Sequence, residues 1–532
     1  MTSMLSEILV LPILLPLLTG AMLVLINERH HQLKYLINQL STLLLLVLAC
    51  WLLVLTDGPA TGEQLLVYLA ANWVAPFGIV LVGDRLASLF LVLTALLANC
   101  ALLFSFSRWA KLGVHFHTLF QLLLMGINGA VLTGDLFNLF VFFEVMLAAS
   151  YGLLLHGYNI TRIRAGMQYI VVNLIASVFF LLGIALVYAA AGSLNFADLA
   201  RLMPELAPAQ RQLMHTGAAV LAVAFLTKSA MWPLGFWLPT TYSAASPPVT
   251  AMLVLLTKIG VYVVFRLNYL WFGDTAGSSA GFGNTMLLYG GLLTLAFGAI
   301  GLLASQDSGR IASYSAVISS GTLLALIGLG QDLTLSAMLF YLLSSTLAVA
   351  AFVLLTELIE RIYTPTDSVL ALSMEFFALD GEKKESAGVV IPAAMAFLGL
   401  AFAACALIMA GLPPLSGFVA KFSILHQLLQ TPMGRGDWAL LVLLFIAGLS
   451  AIISLMRFGV RSFWTAHTSQ SPRLKFSEAS PILLLLLVCI SMAILAGPLS
   501  ALLERVADDL LQTSRYIEQV MQTIAISRGA NE

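Results

Sequence analysis

Charge is what this sequence has least of. Lysine and arginine number 25 and aspartate and glutamate 26 in 532 residues, or 10%, against 60% hydrophobic. Soluble domains carry about 25% charged residues, so the natural solvent of this chain is lipid. A net charge of −1 leaves no basic excess with which to bind nucleic acid. Cysteine is also scarce: Cys50, Cys100, Cys405 and Cys489 all fall in apolar runs, without metal-site or disulfide-scaffold spacing. They read as small buried apolar residues. There is no metal-ligand cluster, no phosphate-binding glycine loop and no nucleophile–base motif, so neither a metal, nor a cofactor, nor an enzymatic reaction is expected. The first apolar run, Leu5 to Ile26, has no basic residues before it and no small-residue cleavage pattern after it. Signal peptides need both, and the run reads as a retained first helix.

What is present is a succession of apolar segments. A helix crosses a bilayer in about 20 apolar residues, and segmentation on that rule predicts an all-α membrane protein of about fourteen spans. They are Leu5–Ile26, Leu36–Leu55, Asp84–Phe106, Phe116–Thr133, Leu136–His156, Tyr169–Ala191, Thr216–Trp237, Val249–Tyr269, Thr285–Ala304, Ile311–Gly330, Leu333–Leu358, Ile391–Leu429, Ala439–Phe458 and Ile482–Leu499. The run from Ile391 is too long for one simple span, and Gly411-Leu412-Pro413-Pro414-Leu415-Ser416-Gly417 interrupts it. Basic residues divide unequally between the two sets of loops. Arg29, Lys34, Arg108, Lys111, Arg162, Arg164, Arg310, Arg361, Lys383, Lys384, Arg457, Arg461, Arg473 and Lys475 lie on one side. Arg85, Arg201, Arg211, Arg266, Arg435, Arg505, Arg515 and Arg528 lie on the other. The richer side faces the cytoplasm, which places both termini on the outer, periplasmic side of a bacterial inner membrane. Near the end, Leu503, Val506, Leu510, Ile517, Met521 and Ile524 recur at helical spacing among charged residues. They predict an amphipathic helix lying on the membrane surface or on a partner, with a solvated tail as the alternative.

The remaining charges are the informative ones. Lys228, Lys258 and Lys421 fall well inside apolar spans, as does Glu144, whereas Asp84, Asp135 and Glu357 sit near span ends where water can reach them. A charge at the bilayer centre costs about 2.5–3.5 kcal/mol on insertion scales, and intramembrane ionisable residues are functional by default. A static Glu144–lysine pair locking helices together accounts for only two of the four groups. Lysine suits proton transfer: desolvation disfavours an ammonium and a nearby carboxylate favours it, so a lysine that gains and loses its partner can trade a proton near neutral pH. Arginine stays charged.

Two of the lysines lie beside helix interruptions, Lys228 before Trp232-Pro233 and Lys421 after Pro413-Pro414. Proline removes a backbone donor and clashes with the preceding turn, and broken spans at corresponding places in two halves mark the ion pathway of inverted-repeat transporters. Lys228 is on the seventh span and Lys421 on the twelfth. The offset of five is odd, so the second unit is inverted relative to the first. The expected organisation is N-terminal helices over residues 1–110, a first five-helix repeat over 111–275, a second over 276–465, and a last span with an amphipathic helix over 466–532. Ser315, Ser319 and Thr322 share one face of the tenth span, and Tyr341, Ser344 and Ser345 punctuate the eleventh. These are candidates for a polar relay, though helix packing explains any single one equally well.

The stretch Thr133-Gly134-Asp135-Leu136-Phe137-Asn138-Leu139-Phe140-Val141-Phe142-Phe143-Glu144-Val145-Met146 resembles the fifth helix of the D subunit of the Mrp (Mnh, Sha or Pha) multisubunit Na+(K+)/H+ antiporters. Residues 161–174 and 256–262 are similar to the same family, whose superfamily includes the antiporter-like subunits of respiratory complex I. The resemblance implies fourteen helices in two inverted repeats and a Glu–Lys pair matched by Glu144 and Lys228. It also implies an eighth-helix lysine matched by Lys258, and an ionisable group on the second broken helix matched by Lys421. Implied partners are a large A subunit, a C subunit and small membrane subunits, with H+ and Na+ or K+ as cargo. Relatives often carry His and Lys on the eleventh helix, where this chain reads Phe340-Tyr341-Leu342-Leu343-Ser344-Ser345-Thr346, a departure shared with the Pha-type branch. The expectation is a proton-translocating antiporter subunit. The alternatives are a proton-pumping subunit of complex I or of a membrane-bound hydrogenase, and a non-transporting scaffold.

Overall fold

The computed structural model describes residues 6–27, 29–58, 65–157, 159–361, 393–463 and 474–523. Ile391, the start of the predicted twelfth span, lies outside the described residues, as do Lys383, Lys384, Arg473, Ile524 and Arg528. Because lipid offers no hydrogen bonds, apolar segments must satisfy their backbones internally, and the chain does so almost wholly as helix. In order these are α1 (Leu11–Leu25), α2 (His31–Asp57), α3 (Arg85–Ser105), α4 (Phe116–Leu132), α5 (Leu136–Leu155), α6 (Ile160–Ala191), α7 (Phe196–Leu202) and α8 (Pro208–Lys228). Next come α9 (Leu238–Ala244), α10 (Pro247–Phe272), α11 (Asn284–Ala304), α12 (Ser308–Leu329), α13 (Leu335–Glu360), α14 (Ala393–Ala410), α15 (Ser416–Leu429) and α16 (Arg435–Phe463). The series ends with α17 (Phe476–Ile494), α18 (Ala496–Leu511) and α19 (Thr513–Gln522). Among the described residues twelve helices are long and apolar enough to cross a membrane, and α4 is a shorter apolar helix.

The seventh predicted span, Thr216–Trp237, covers most of α8 and the break after it, with α9 continuing past its predicted end, and the twelfth is the pair α14–α15. α6 begins nine residues earlier than its apolar run, because Asn159 caps it with a side-chain bond to the Thr161 amide. Helices α10 and α13 form the centre: they pack on each other, and their apolar stretches are almost entirely buried. α12 packs on both and also receives α9, the second half of the first broken helix. Hydroxyl residues do not interrupt α13, which runs unbroken through Ser344, Ser345 and Thr346.

A small antiparallel hairpin went unread in the sequence. Leu66–Leu69 (β1) pairs with Val80–Gly83 (β2) in the register Leu66↔Gly83 to Leu69↔Val80. The C-terminal segment differs from expectation too. It packs on this chain, with Leu503, Val506, Tyr516 and Val520 buried. Ion pairs fasten it: Arg505 to Asp57 at 2.8 Å, and Asp509 to Arg85 at 2.6 Å. Of the four cysteines, Cys50 is exposed and the other three are buried as expected.

Candidate functional site

In the first half, α5 carries Glu144, α6 carries Ser177, and Lys228 is the last residue of α8. Ser177 Oγ donates to Glu144 Oε1. The Lys228 ammonium is buried, 5.3 Å from the centre of the Phe143 ring, and makes no hydrogen bond. A static Glu144–Lys228 ion pair is therefore not what this structure holds, although Glu144 is the carboxylate whose charge reaches Lys228. Beside Lys228 lies a cavity of ≈10 Å³ bounded by Tyr169, Asn173, Trp237, Tyr242 and Thr257, at the lower limit for one water.

The helix stops here because the residues after Lys228 cannot continue it. Ala230 takes a left-handed conformation (φ 59°), and the chain turns through Pro233 before α9. Several of the freed backbone groups find partners: Met231 N–H donates to Leu226 O at 2.9 Å, Trp232 N–H to Thr294 Oγ1 at 2.8 Å, and the Trp237 indole to Thr227 O at 3.2 Å. Such internal satisfaction is what permits a break at membrane depth. Gly260 of α10 allows that helix to press against the break, since a Cβ there would lie 2.9 Å from Ser229 N.

One residue after Thr257, Lys258 is fully buried and donates to Ser320 Oγ of α12 at 3.1 Å. Its neighbour Ser319 shares a 2.8 Å bond with Ser345 of α13, and Ser344 donates to Ser416 Oγ, at the start of α15, at 2.8 Å. A cavity of ≈40 Å³, room for a few waters, is lined by Ser315, Ser319, Tyr341, Ser344, Ser345 and Lys421. The predicted relay residues thus converge. Thr322 is set apart from the lining and bonds back to Ile318 O.

Lys421 reaches the second break from its far side. Its ammonium donates to Ala410 O at 2.8 Å and Met409 O at 3.4 Å, the last carbonyls of α14. A half-helix carries partial negative charge at this end, which suits an ammonium. Gly411 closes α14 with φ +78°, the left-handed cap that glycine supplies without strain, and Pro413 and Pro414 prevent continuation. The two lysines are placed differently: Lys228 ends the half-helix before its break, whereas Lys421 stands on the half-helix after it.

Several charged groups counted as loop residues are buried. Arg266 of α10 makes a bidentate pair with Asp84, at 2.7 and 2.8 Å, with side-chain exposures of 6% and 9%. Lys34 and Arg85 are also buried, so lysines are not alone among cations inside the protein. Asp84, read as solvated, is sealed and also caps α3 through the Ala87 amide. Glu357 pairs with Arg361 and Arg108. The reason is tertiary: packing covers helix ends that an isolated helix would leave wet. No signal in the linear sequence joins positions 84 and 266.

Residues 133–454, more than half of the chain, match the family model described as NADH:quinone oxidoreductase/Mrp antiporter, TM. The chain is 51% identical to a Rhizobium meliloti protein named as the D subunit of a probable K(+)/H(+) antiporter, covering 98% of each. It is 32% identical to the D subunit of the Na(+)/H(+) antiporter of Alkalihalophilus pseudofirmus, over 97% of this chain and 100% of that one. Among solved structures it resembles a chain of the Mrp complex from Dietzia sp. (TM-score 0.83, 26% identity, 97% and 99% covered). It also resembles a chain of an archaeal membrane-bound sulfane sulfur reductase (TM-score 0.82, 26% identity, 97% and 100% covered). Buried lysines strung between broken helices, and likeness along nearly the whole chain, agree: this protein belongs to the NADH:quinone oxidoreductase/Mrp antiporter family of membrane subunits and groups within it with the antiporter D subunits.

Proposed function

We propose that this chain is the proton-carrying subunit of a multisubunit Na+ or K+/H+ antiporter in a bacterial cell membrane, assembled with a large A subunit, a C subunit and small subunits. The observation that carries the reading is the set of three hydroxyl contacts, Lys258–Ser320, Ser319–Ser345 and Ser344–Ser416, gathered between Lys258 and the cavity that holds Lys421. A proton loads Lys228 under the influence of Glu144 and crosses the small cavity beside Thr257 to Lys258. It then runs along hydroxyls and water to Lys421. In the second half, serine and tyrosine hydroxyls take the place of the His and Lys that many relatives carry. The two broken helices are the fourth members of two five-helix repeats over residues 111–275 and 276–465, and both termini face outward. A proton-pumping redox subunit shares this chemistry, but 51% identity over the full length to a protein named as an antiporter subunit favours exchange.

The test is cation-dependent dissipation of ΔpH in everted vesicles bearing the whole complex, in NaCl and in KCl, with assembly verified in each sample. Lys228→Ala and Glu144→Ala are expected to abolish or strongly reduce exchange without loss of assembly. Full exchange by an assembled Lys228→Ala complex would overturn the proposal.

A further inference from the structure

The relay cavity has a neighbour. Between α13, α15 and α18 lies a second cavity of ≈150 Å³, lined by Ser336, Phe340, Phe422, Ser423, His426, Gln427, Ser500 and Glu504, among others. On α13 its lining ends at Phe340, and the lining of the relay cavity begins at Tyr341. On α15 its lining starts at Phe422, directly after Lys421. The two cavities are stacked along one helix pair, divided at the level of Phe340 and Phe422. At 1.5 Å per residue, about 7.5 Å of helix axis separates Lys421 from His426.

The second cavity is polar and has room for about ten waters at the 10–15 Å³ each requires. Gln427 donates to Ser336 Oγ at 3.2 Å, and its buried Oε1 has no partner. His426, Phe422 and Glu504 are exposed at the mouth. Of the lining groups, His426 and Glu504 are the ionisable ones. Glu504 belongs to α18, which lies beyond residues 133–454, and the next residue, Arg505, is clamped to Asp57 by two bonds of 2.8 Å.

Building on the proton-carrying reading, we infer that this cavity is the vestibule through which Lys421 exchanges protons with the aqueous phase on the side of the C-terminal helices. The buried Phe340 forms the barrier behind it, and His426 and Glu504 pass the proton to bulk water. The step is a proton transfer alone: the Lys421 ammonium gives its proton to vestibule water, and His426 or the Glu504 carboxylate accepts it and hands it on. The C-terminal surface helix thereby supplies part of the route as well as packing.

The test places Ser423→Cys or Ser500→Cys in a Cys50→Ser background, in vesicles of known orientation bearing the whole complex, with a membrane-impermeant cationic thiol reagent on one side at a time. Labelling from the side of the C-terminal helices is expected, with exchange falling at least tenfold. Glu504→Gln, unlabelled, is expected to slow exchange several-fold and to shift its pH profile, and Glu504→Asp to restore both. Absent labelling, labelling from the opposite side alone, or full labelling with normal exchange overturns the vestibule. Lys421→Ala run in parallel separates the two claims. If it loses exchange while a labelled vestibule works normally, only the vestibule falls. If it retains exchange, the proton-carrying reading falls with it.

Discussion

Gly411 offers the sharpest test of whether the pose of Lys421 matters. A Cβ at this position would lie 2.5 Å from Lys421 Cδ and 3.0 Å from both Cε and Nζ, on a backbone at φ +78°. Gly411→Ala therefore carries two penalties. The left-handed conformation costs an alanine about 1–2 kcal/mol. The ammonium must also leave Ala410 O and Met409 O, and a hydrogen bond to a charged group contributes about 1.5–3 kcal/mol. If only the lower end of the second term falls on the occupancy of the Lys421 pose, exchange drops about tenfold, since 1.4 kcal/mol is a factor of ten. Gly399 serves as the control: it lies in α14 with nothing within 4 Å of its would-be Cβ. Gly399→Ala should leave exchange intact and gain about 0.5–1 kcal/mol of helix stability. Both variants are assayed for cation-dependent ΔpH dissipation per assembled complex. Wild-type exchange by an assembled Gly411→Ala complex would refute the idea that holding Lys421 at the end of α14 contributes to transport.

Two further outcomes are expected from the same structure. Arg266→Met leaves the Asp84 carboxylate buried without its partner, a loss of about 3–5 kcal/mol, seen as a lower thermal midpoint and yield of purified complex. Asp84→Asn/Arg266→Met should recover most of that loss, and exchange per assembled complex should stay within about twofold of wild type; strong inactivation with intact assembly would instead put this pair on the proton route. Ser319→Ala/Ser345→Ala removes the 2.8 Å hydroxyl pair between α12 and α13 and should slow exchange about tenfold, with each single change milder. Because the double change removes both partners and leaves neither hydroxyl unsatisfied, it costs little stability, and an assembled and fully active double variant moves the second-half route away from these serines.

Much of the candidate site was legible in the sequence because the bilayer penalises charge so heavily. Lysines 228, 258 and 421 and Glu144 stood out simply by being where hydrocarbon should be, and the prolines beside two of them marked the breaks. The serines of α12 and α13 were visible only as polar spacing. That Ser319 meets Ser345, that Ser344 meets Ser416, and that these hydroxyls enclose a cavity with Lys421 depend on how α12, α13 and α15 pack. The reading of Glu144 and Lys228 as a pair shows the converse: both residues were found, but proximity in the fold did not make them a bonded ion pair.

The sequence alone determined that this is a helical membrane protein, which segments are apolar enough to span, where helices seven and twelve break, and that Glu144, Lys228, Lys258 and Lys421 fall inside apolar segments. Those properties follow from local rules, namely apolar length, proline geometry and the cost of a charge in lipid. Tertiary structure alone decided that Arg266 and Asp84 are sealed against each other, that the C-terminal helices dock on their own chain through Asp57 and Arg85, and that Lys421 rests on the carbonyls of α14. Each of the first two joins residues more than 180 positions apart, and the third depends on how two half-helices meet at a break. Such contacts exist only once packing has brought distant segments together, and no local pattern records that step.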